Sequence, residues 1–167
     1  SITAGDFYIT IDCVFANDDP GDAQLITCGE IVNGSNVGAT QSAIGSPICA
    51  GGSQNDILYK IDDVGGVDYT VTVNGINYDG VLAAYTGSCS GTLTQLDCSD
   101  VGIGNNLVET INFSVGFNQT VYIQTYDWFS SGGEFVLSVS CANVPYDEPC
   151  EARNLTCGES FSGSSAG

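Results

Sequence analysis

The chain has no histidine and no methionine, and only Lys60 and Arg153 among its 167 residues are basic. Without histidine, a Ser-His-Asp or Cys-His device has no general base. Twenty acids against two bases give a formal charge of −18, which repels the phosphates of nucleic acid. An anionic membrane surface is disfavoured for the same reason. No apolar run approaches the roughly 20 residues of a membrane-spanning helix, so no membrane insertion is expected. The absence of methionine removes an oxidation-prone side chain. Two basic residues leave little for a trypsin-like protease. There is no initiator methionine and no signal peptide, so the sequence reads as a mature or interior fragment.

What is present is cysteine: eight residues, with no C-x-x-C spacing. Zinc needs such spacings or histidine. The cysteines are therefore read as disulfides formed in an oxidising compartment, which places the chain outside the cell or on a cell surface. Apolar residues make up 43%, enough for one packed domain of ordinary size. The acids are scattered rather than run together, so they do not form a disordered tail.

The sequence also repeats itself. Asp18-Asp19-Pro20, Ala23, Thr27-Cys28-Gly29-Glu30, Gly34-Ser35 and Gly38 return as Asp147-Glu148-Pro149, Ala152, Thr156-Cys157-Gly158-Glu159, Gly163-Ser164 and Gly167. The offset is 129 throughout, and 9 of the 19 positions from Pro20 to Gly38 are identical. A second match, at an offset of 128, relates Gly5–Cys13 to Gly133–Cys141. Residues 1–13 therefore read as the last strand of a preceding repeat. Residues 14–141 read as one complete copy, and 142–167 as the linker and first strand of the next.

Short β-branched and aromatic stretches separated by glycine and turn residues predict an all-β fold. The expectation is an antiparallel jelly-roll-like sandwich of eight or nine strands, stapled by disulfides. Expected strands include 56–61, Tyr69–Val73, Val81–Tyr85 (buried on both faces), Leu107–Phe113, Val121–Thr125 and Phe135–Val139. Asn74-Gly75 carries a tight-turn signal. Spacing suggests three staples: Cys28 with Cys49, Cys89 with Cys98, and Cys141 with Cys150. Cys157 matches Cys28, so its partner is expected in a following copy. Cys13 matches Cys141, while Gly21 stands where Cys150 stands. This leaves Cys13 either as a thiol or partnered in missing sequence, or as a covalent link between subunits.

The order Asn17-Asp18-Asp19, Thr27-Cys28-Gly29, Gly38-Ala39-Thr40, Asp56–Lys60, Tyr78-Asp79-Gly80 through Tyr85-Thr86-Gly87-Ser88-Cys89, Thr120–Ile123 and Gly133–Val139 resembles the bacterial pre-peptidase C-terminal domain. It is most similar to the Cys-containing copies in large surface proteins of Bacteroidetes-type bacteria. The resemblance covers roughly residues 17–141. It implies a jelly-roll sandwich without catalytic activity, appended to secreted enzymes or strung in adhesin arrays, with relatives that bind collagen or calcium. It transfers no ligand site to particular residues here.

No cofactor is required by the sequence. A structural calcium has candidate oxygen ligands in Asp18 and Asp19 of the linker, and in Asp97 and Asp100 of an expected Ser99-containing loop. The alternative is solvated turns. Paired carboxylates can hydrolyse glycosides, but scattered acids are better read as a solvated surface. Tyr126, Trp128 and Phe129 are candidate contact aromatics for a sugar or a neighbouring subunit, or else caps of the core. Asn33, Asn112, Asn118 and Asn154 begin N-x-[ST] triplets, which arise easily in so polar a chain.

The leading expectation is a structural, non-enzymatic repeat of an extracellular adhesin or filament. Its partners would be copies of itself, met head to tail through Phe7, Ile9, Ile11, Cys13, Leu155, Cys157 and Phe161. The alternative is a carbohydrate- or collagen-binding accessory module with a surface glycan or matrix ligand.

Overall fold

The structure is a computed structural model that describes residues 17–52, 55–62, 67–76, 78–102, 104, 106–116, 119–129 and 132–142. Among the described residues, nine strands and one short 3-10 turn, Pro20–Asp22, follow in chain order. The strands are β1 (Gln24–Leu25), β2 (Ile31–Ser35), β3 (Ile57–Asp62), β4 (Asp68–Ile76), β5 (Gly80–Thr86), β6 (Thr94–Ser99), β7 (Val108–Ser114), β8 (Thr120–Asp127) and β9 (Glu134–Ala142). They form two sheets, one in the order β1-β3-β8-β5-β6 and the other β2-β9-β4-β7. From β2 onward successive strands cross between the sheets, except for the β5–β6 hairpin, which stays within the first. The antiparallel expectation has one exception: β1 joins β3 in parallel, through Gln24 and Leu25.

Period-two alternation explains the second sheet. Along β7 the residues are alternately exposed and buried, with Ile111 and Phe113 turned inward. Tyr69, Val71 and Val73 of β4 and Phe135, Leu137 and Val139 of β9 face the same way. They meet Ile57, Tyr59 and Ile61 of β3, Leu82 and Ala84 of β5, and Val121 and Ile123 of β8 in one core. Each Val, Leu, Ile or Phe among them contributes roughly 1.5–3 kcal/mol of hydrophobic stabilisation when fully buried.

The first sheet is covered on its outer face as well. Leu58, Ala83, Tyr85 and Tyr122 form a second cluster with Ala23, joined by Ile44 and Leu93. This is why β5 and β8 are almost wholly buried and show no alternation.

Two local expectations fail. Asn74-Gly75 does not turn; both residues continue β4 in register with Val136 and Phe135 of β9. Gly75 is there because a Cβ would fall 2.2 Å from the Cβ of Tyr78. The segment holding Asp97 and Ser99 is not a loop but strand β6, an edge strand paired with β5.

The sheet edges are managed differently. The Asn112 amide on the β7 edge donates to the Asp97 carboxylate of β6 at 2.9 Å. The Ser99 hydroxyl of β6 likewise donates to Glu109 of β7. These bonds occupy that side of the sandwich. At the opposite edge of the same sheet, β2 pairs only with β9 among the described residues.

Candidate functional site: staples, linker and sandwich ends

The disulfides follow from the packing of the folded chain. β2 and β9 pair with Ile31 opposite Ser138. Cys28 lies in the turn just before β2, beside the end of β9, and is bonded to Cys141, with Cα atoms 5.8 Å apart. Cys49 is bonded to Cys98, with Cα atoms 6.1 Å apart. This second staple pins the covering loop to the outer face of β6. The expected pairs Cys28–Cys49, Cys89–Cys98 and Cys141–Cys150 are therefore wrong. Cys98 lies on β6, and four extended residues from Thr94 carry it roughly 13 Å along the strand, away from the Cys89 turn. Cys89 is an exposed free cysteine in that turn. Cys13, Cys150 and Cys157 lie outside the described residues, as do Phe7, Ile9, Ile11, Leu155 and Phe161.

The residues that recur in sequence have identifiable work in the fold. Thr27 donates its amide and hydroxyl to the Glu30 carboxylate, at 2.9 and 3.2 Å. Between them Gly29 has φ +82, a left-handed backbone that suits glycine. A Cβ on Gly34 would lie 2.5 Å from the Phe135 ring. Asp18 accepts from the Thr40 amide at 2.7 Å and from its hydroxyl. Ala23 is buried in the outer cluster. All recur: Thr156, Gly158, Glu159, Gly163, Asp147 and Ala152.

The candidate metal ligands do not come together. Asp18 serves Thr40. Asp19 is exposed before the 3-10 turn and makes no capping bond there. Asp97 holds the Cys98 and Asn112 amides. Asp100 is half-buried, near Asp79. Among the described residues, no three His, Cys, Asp or Glu side chains are gathered to hold a metal.

The aromatic candidates divide. Tyr126 is buried, and its hydroxyl donates to the Gly51 carbonyl at 3.3 Å. Trp128 is half-buried, with its ring beside Gly51 and its amide donating to the Asp79 carbonyl. Phe129 is 59% exposed. Tyr85, whose hydroxyl bonds to Gln124, is buried as well. A cavity of about 280 Å³ does open on this outer face, lined by Pro20, Ala43, Ile44, Tyr85, Cys89 and Leu93.

Four buried polar residues escaped the sequence reading. The Asp56 carboxylate accepts from the Ser42 amide and hydroxyl and from the Gln124 side-chain amide. Gln124 in turn accepts from the Tyr85 hydroxyl at 2.9 Å and donates to the Gly45 carbonyl. This network fastens the covering loop to β8. Glu109, on the apolar face of β7, is satisfied by Ser99 and the Val101 amide. Asp79 accepts from the Gly104 amide, and its own amide donates to Asp127. Burial, with Asp100 and Asp127 nearby, holds the Asp79 carboxyl above the usual carboxylate range. The partners of Asp56 lie 14 and 68 residues away in sequence, which no local pattern signals.

The fold is similar to the pre-peptidase C-terminal domain of a collagenase from Bacillus anthracis. The two share 16% identity over 71% of this chain and 94% of that domain, with a TM-score of 0.45. No family model and no curated protein sequence matches the chain.

Proposed function

We propose that the chain is a non-catalytic structural repeat of an extracellular adhesin or filament, joined head to tail with further copies of the same sandwich. One observation carries this reading: the residues that recur at 129 positions' distance are those that build the opening of the sandwich. The Thr-Cys-Gly-Glu turn, the glycine under Phe135 and the linker aspartate have structural duties, and a second set of them serves a second sandwich. The inward residues of β9 are matched in the same way, Phe135, Leu137, Val139 and Cys141 by Phe7, Ile9, Ile11 and Cys13.

The path of the chain fits a linear array. Asn17 accepts from the Leu58 amide near the start of β3, while β9 leaves at Ala142 opposite Asp68, the start of β4. These lie toward opposite ends of the sandwich. Disulfides and a surface with few basic residues suit an oxidising extracellular setting. The competing accessory-module reading calls for an exposed aromatic platform, and burial of Tyr85 and Tyr126 leaves exposed Phe129 and half-buried Trp128 of the candidate aromatics to supply it.

Electron microscopy of the native material tests the proposal. Beaded strings or fibres with an axial repeat of roughly 30–40 Å, the length of a nine-residue strand plus linker, are expected. Discrete globular particles would contradict it.

A further inference from the structure

The edges of the two sheets are not alike. β6 and β7 are bridged to each other through Asp97 and Asn112 and through Ser99 and Glu109. β1 is only Gln24–Leu25. β2 runs from Ile31 to Ser35 with no proline and no charged side chain, the usual guards of an exposed edge. Its backbone groups alternate in direction. The Glu30 carbonyl accepts from the Val139 amide, and the Asn36 amide donates to the Gly133 carbonyl, so the even-numbered residues bond to β9. The N–H and C=O groups of Ile31, Asn33 and Ser35 therefore point away from β9. Among the described residues no strand lies on that side. The side chains of these three residues are exposed. Ile31 at one end of the edge is 68% exposed, and Val37, just past the other end, is 56% exposed.

We propose that β2 is a docking edge for β2 of a second copy of this chain, the two strands running antiparallel about a two-fold axis at Asn33. The edge is complementary to itself. In that register Ile31 lies opposite Ser35 of the second copy, and Asn33 opposite its own counterpart, so every outward N–H and C=O of both strands is paired. Moving the axis to Val32 or Gly34 leaves Ser35 or Ile31 of each strand with no strand residue opposite. On the inner face Val32 meets Gly34 of the second copy, which has no side chain to obstruct it. The exposed Ile31 of one copy comes beside the Val37 end of the other. Charge selects the place. At −18 two copies repel one another over most of their surface. β2 adds no charge to that repulsion, and the Glu30 carboxylate just before it is engaged by Thr27. A basic partner would find no carboxylate along the strand to hold. The contact joins two four-stranded sheets into one. It is lateral and uses neither end of the sandwich, so it does not depend on the head-to-tail reading. One short edge is a small contact, so lone chains pair weakly and copies linked in a string pair more tightly.

The test combines sedimentation with residue-resolved hydrogen exchange on the full chain at rising protein concentration. Dimers are expected to form, and the Ile31, Asn33 and Ser35 amides to gain protection with concentration. The Val32 and Gly34 amides, which face β9, are expected to be protected throughout. Asn33→Pro removes an N–H that β9 does not use, a change an edge strand tolerates. It is expected to raise the dimer dissociation constant about tenfold or more. Ile31→Glu brings a carboxylate toward Glu134 of the second copy, which lies beside Ser35, and is expected to weaken the dimer as well. Ile48→Glu makes the same change of charge on the covering loop beside β6, and is expected to leave the dimer unchanged.

Free exchange of the three outward amides at every concentration would overturn the proposal. So would protection that persists on dilution, because a segment of the same chain would then cover the edge. A dimer left equally tight by Asn33→Pro and Ile31→Glu, both folded by circular dichroism, would overturn it too, as would equal weakening by Ile48→Glu. Should Asn33→Pro fail to fold, the comparison of Ile31→Glu with Ile48→Glu decides alone. None of these outcomes bears on the axial spacing seen by microscopy, so the two readings fail separately.

Discussion

Cys28 and Cys141 are 113 residues apart in sequence and 5.8 Å apart at their Cα atoms, on either side of the β2–β9 pairing. The bond ties the opening of the folded copy to its last strand. The Gly29 amide donates to the Val139 carbonyl, and the Val139 amide to the Glu30 carbonyl, extending the same pairing. A cross-link over so long a loop removes much of the freedom of the unfolded chain. Replacing both cysteines with serine is expected to lower stability by about 4–5 kcal/mol, read as a lower urea midpoint. Loss of the Cys49–Cys98 link, which closes a shorter loop, is expected to cost less.

Gly34→Ala is expected to be costly and Gly21→Ala nearly neutral. At Gly34 the new methyl would lie 2.5 Å from the Phe135 ring and 2.6 Å from the Tyr59 hydroxyl. Relieving that overlap means moving β2 off β9, at about 1–3 kcal/mol or more. At Gly21 there is open space, so a change within about 0.5 kcal/mol is expected. Thermal unfolding of the two variants provides the comparison.

Asp56→Ala removes the acceptor shared by Ser42 and Gln124 in a site closed to water. Donors left without partners cost roughly 1–3 kcal/mol each. The expected loss is about 2–5 kcal/mol. It should be accompanied by faster hydrogen exchange in the covering loop around Ser42, with little change in β4 and β9. Uniform loss of protection across both sheets would contradict the assignment of this network to the loop.

The tyrosines set an alkaline limit. Burial pushes the Tyr59 hydroxyl up to about 12, and raises Tyr78, Tyr85, Tyr122 and Tyr126 as well. An unfolded tyrosine titrates near pH 10. The folded state therefore keeps protons that the unfolded state releases above that pH. The stability tied to them is intact below about pH 10 and declines as pH rises toward the folded values. Urea midpoints should fall steeply above about pH 10, and tyrosinate absorbance should rise together with loss of β-sheet circular dichroism. Titration of these five hydroxyls near pH 10 without unfolding would contradict this.

Much of the fold was legible in the residues. The alternation of Ile111 and Phe113 with Thr110 and Asn112, and of Phe135, Leu137 and Val139 with their exposed neighbours, marks half-buried strands directly. Val81–Tyr85 reads as buried on both faces, and it is, because residues 17–23 and the loop before β3 cover its sheet. β6 was not legible. Its Asp97 and Ser99 look like loop oxygens, yet they bridge to β7 across the edge. Asn74-Gly75 misled because a local turn signal competes with the space Tyr78 needs. Each disulfide joins a turn to a strand far from it in sequence, 113 and 49 residues away, a pairing that cysteine spacing does not encode.

Disulfide mapping of the native full-length material tests the central claim, that this chain's ends belong to neighbouring copies of one sandwich. If they do, Cys157 opens a staple like that of Cys28, and Cys13 closes one like that of Cys141. Non-reducing peptide maps should link Cys13 to a Thr-Cys-Gly-Glu cysteine about one copy upstream. Cys157 should be linked to a last-strand cysteine about one copy downstream, each closing a loop close to the 113 residues seen here. A direct Cys13–Cys157 bond within one chain, or free thiols at both positions, would contradict it.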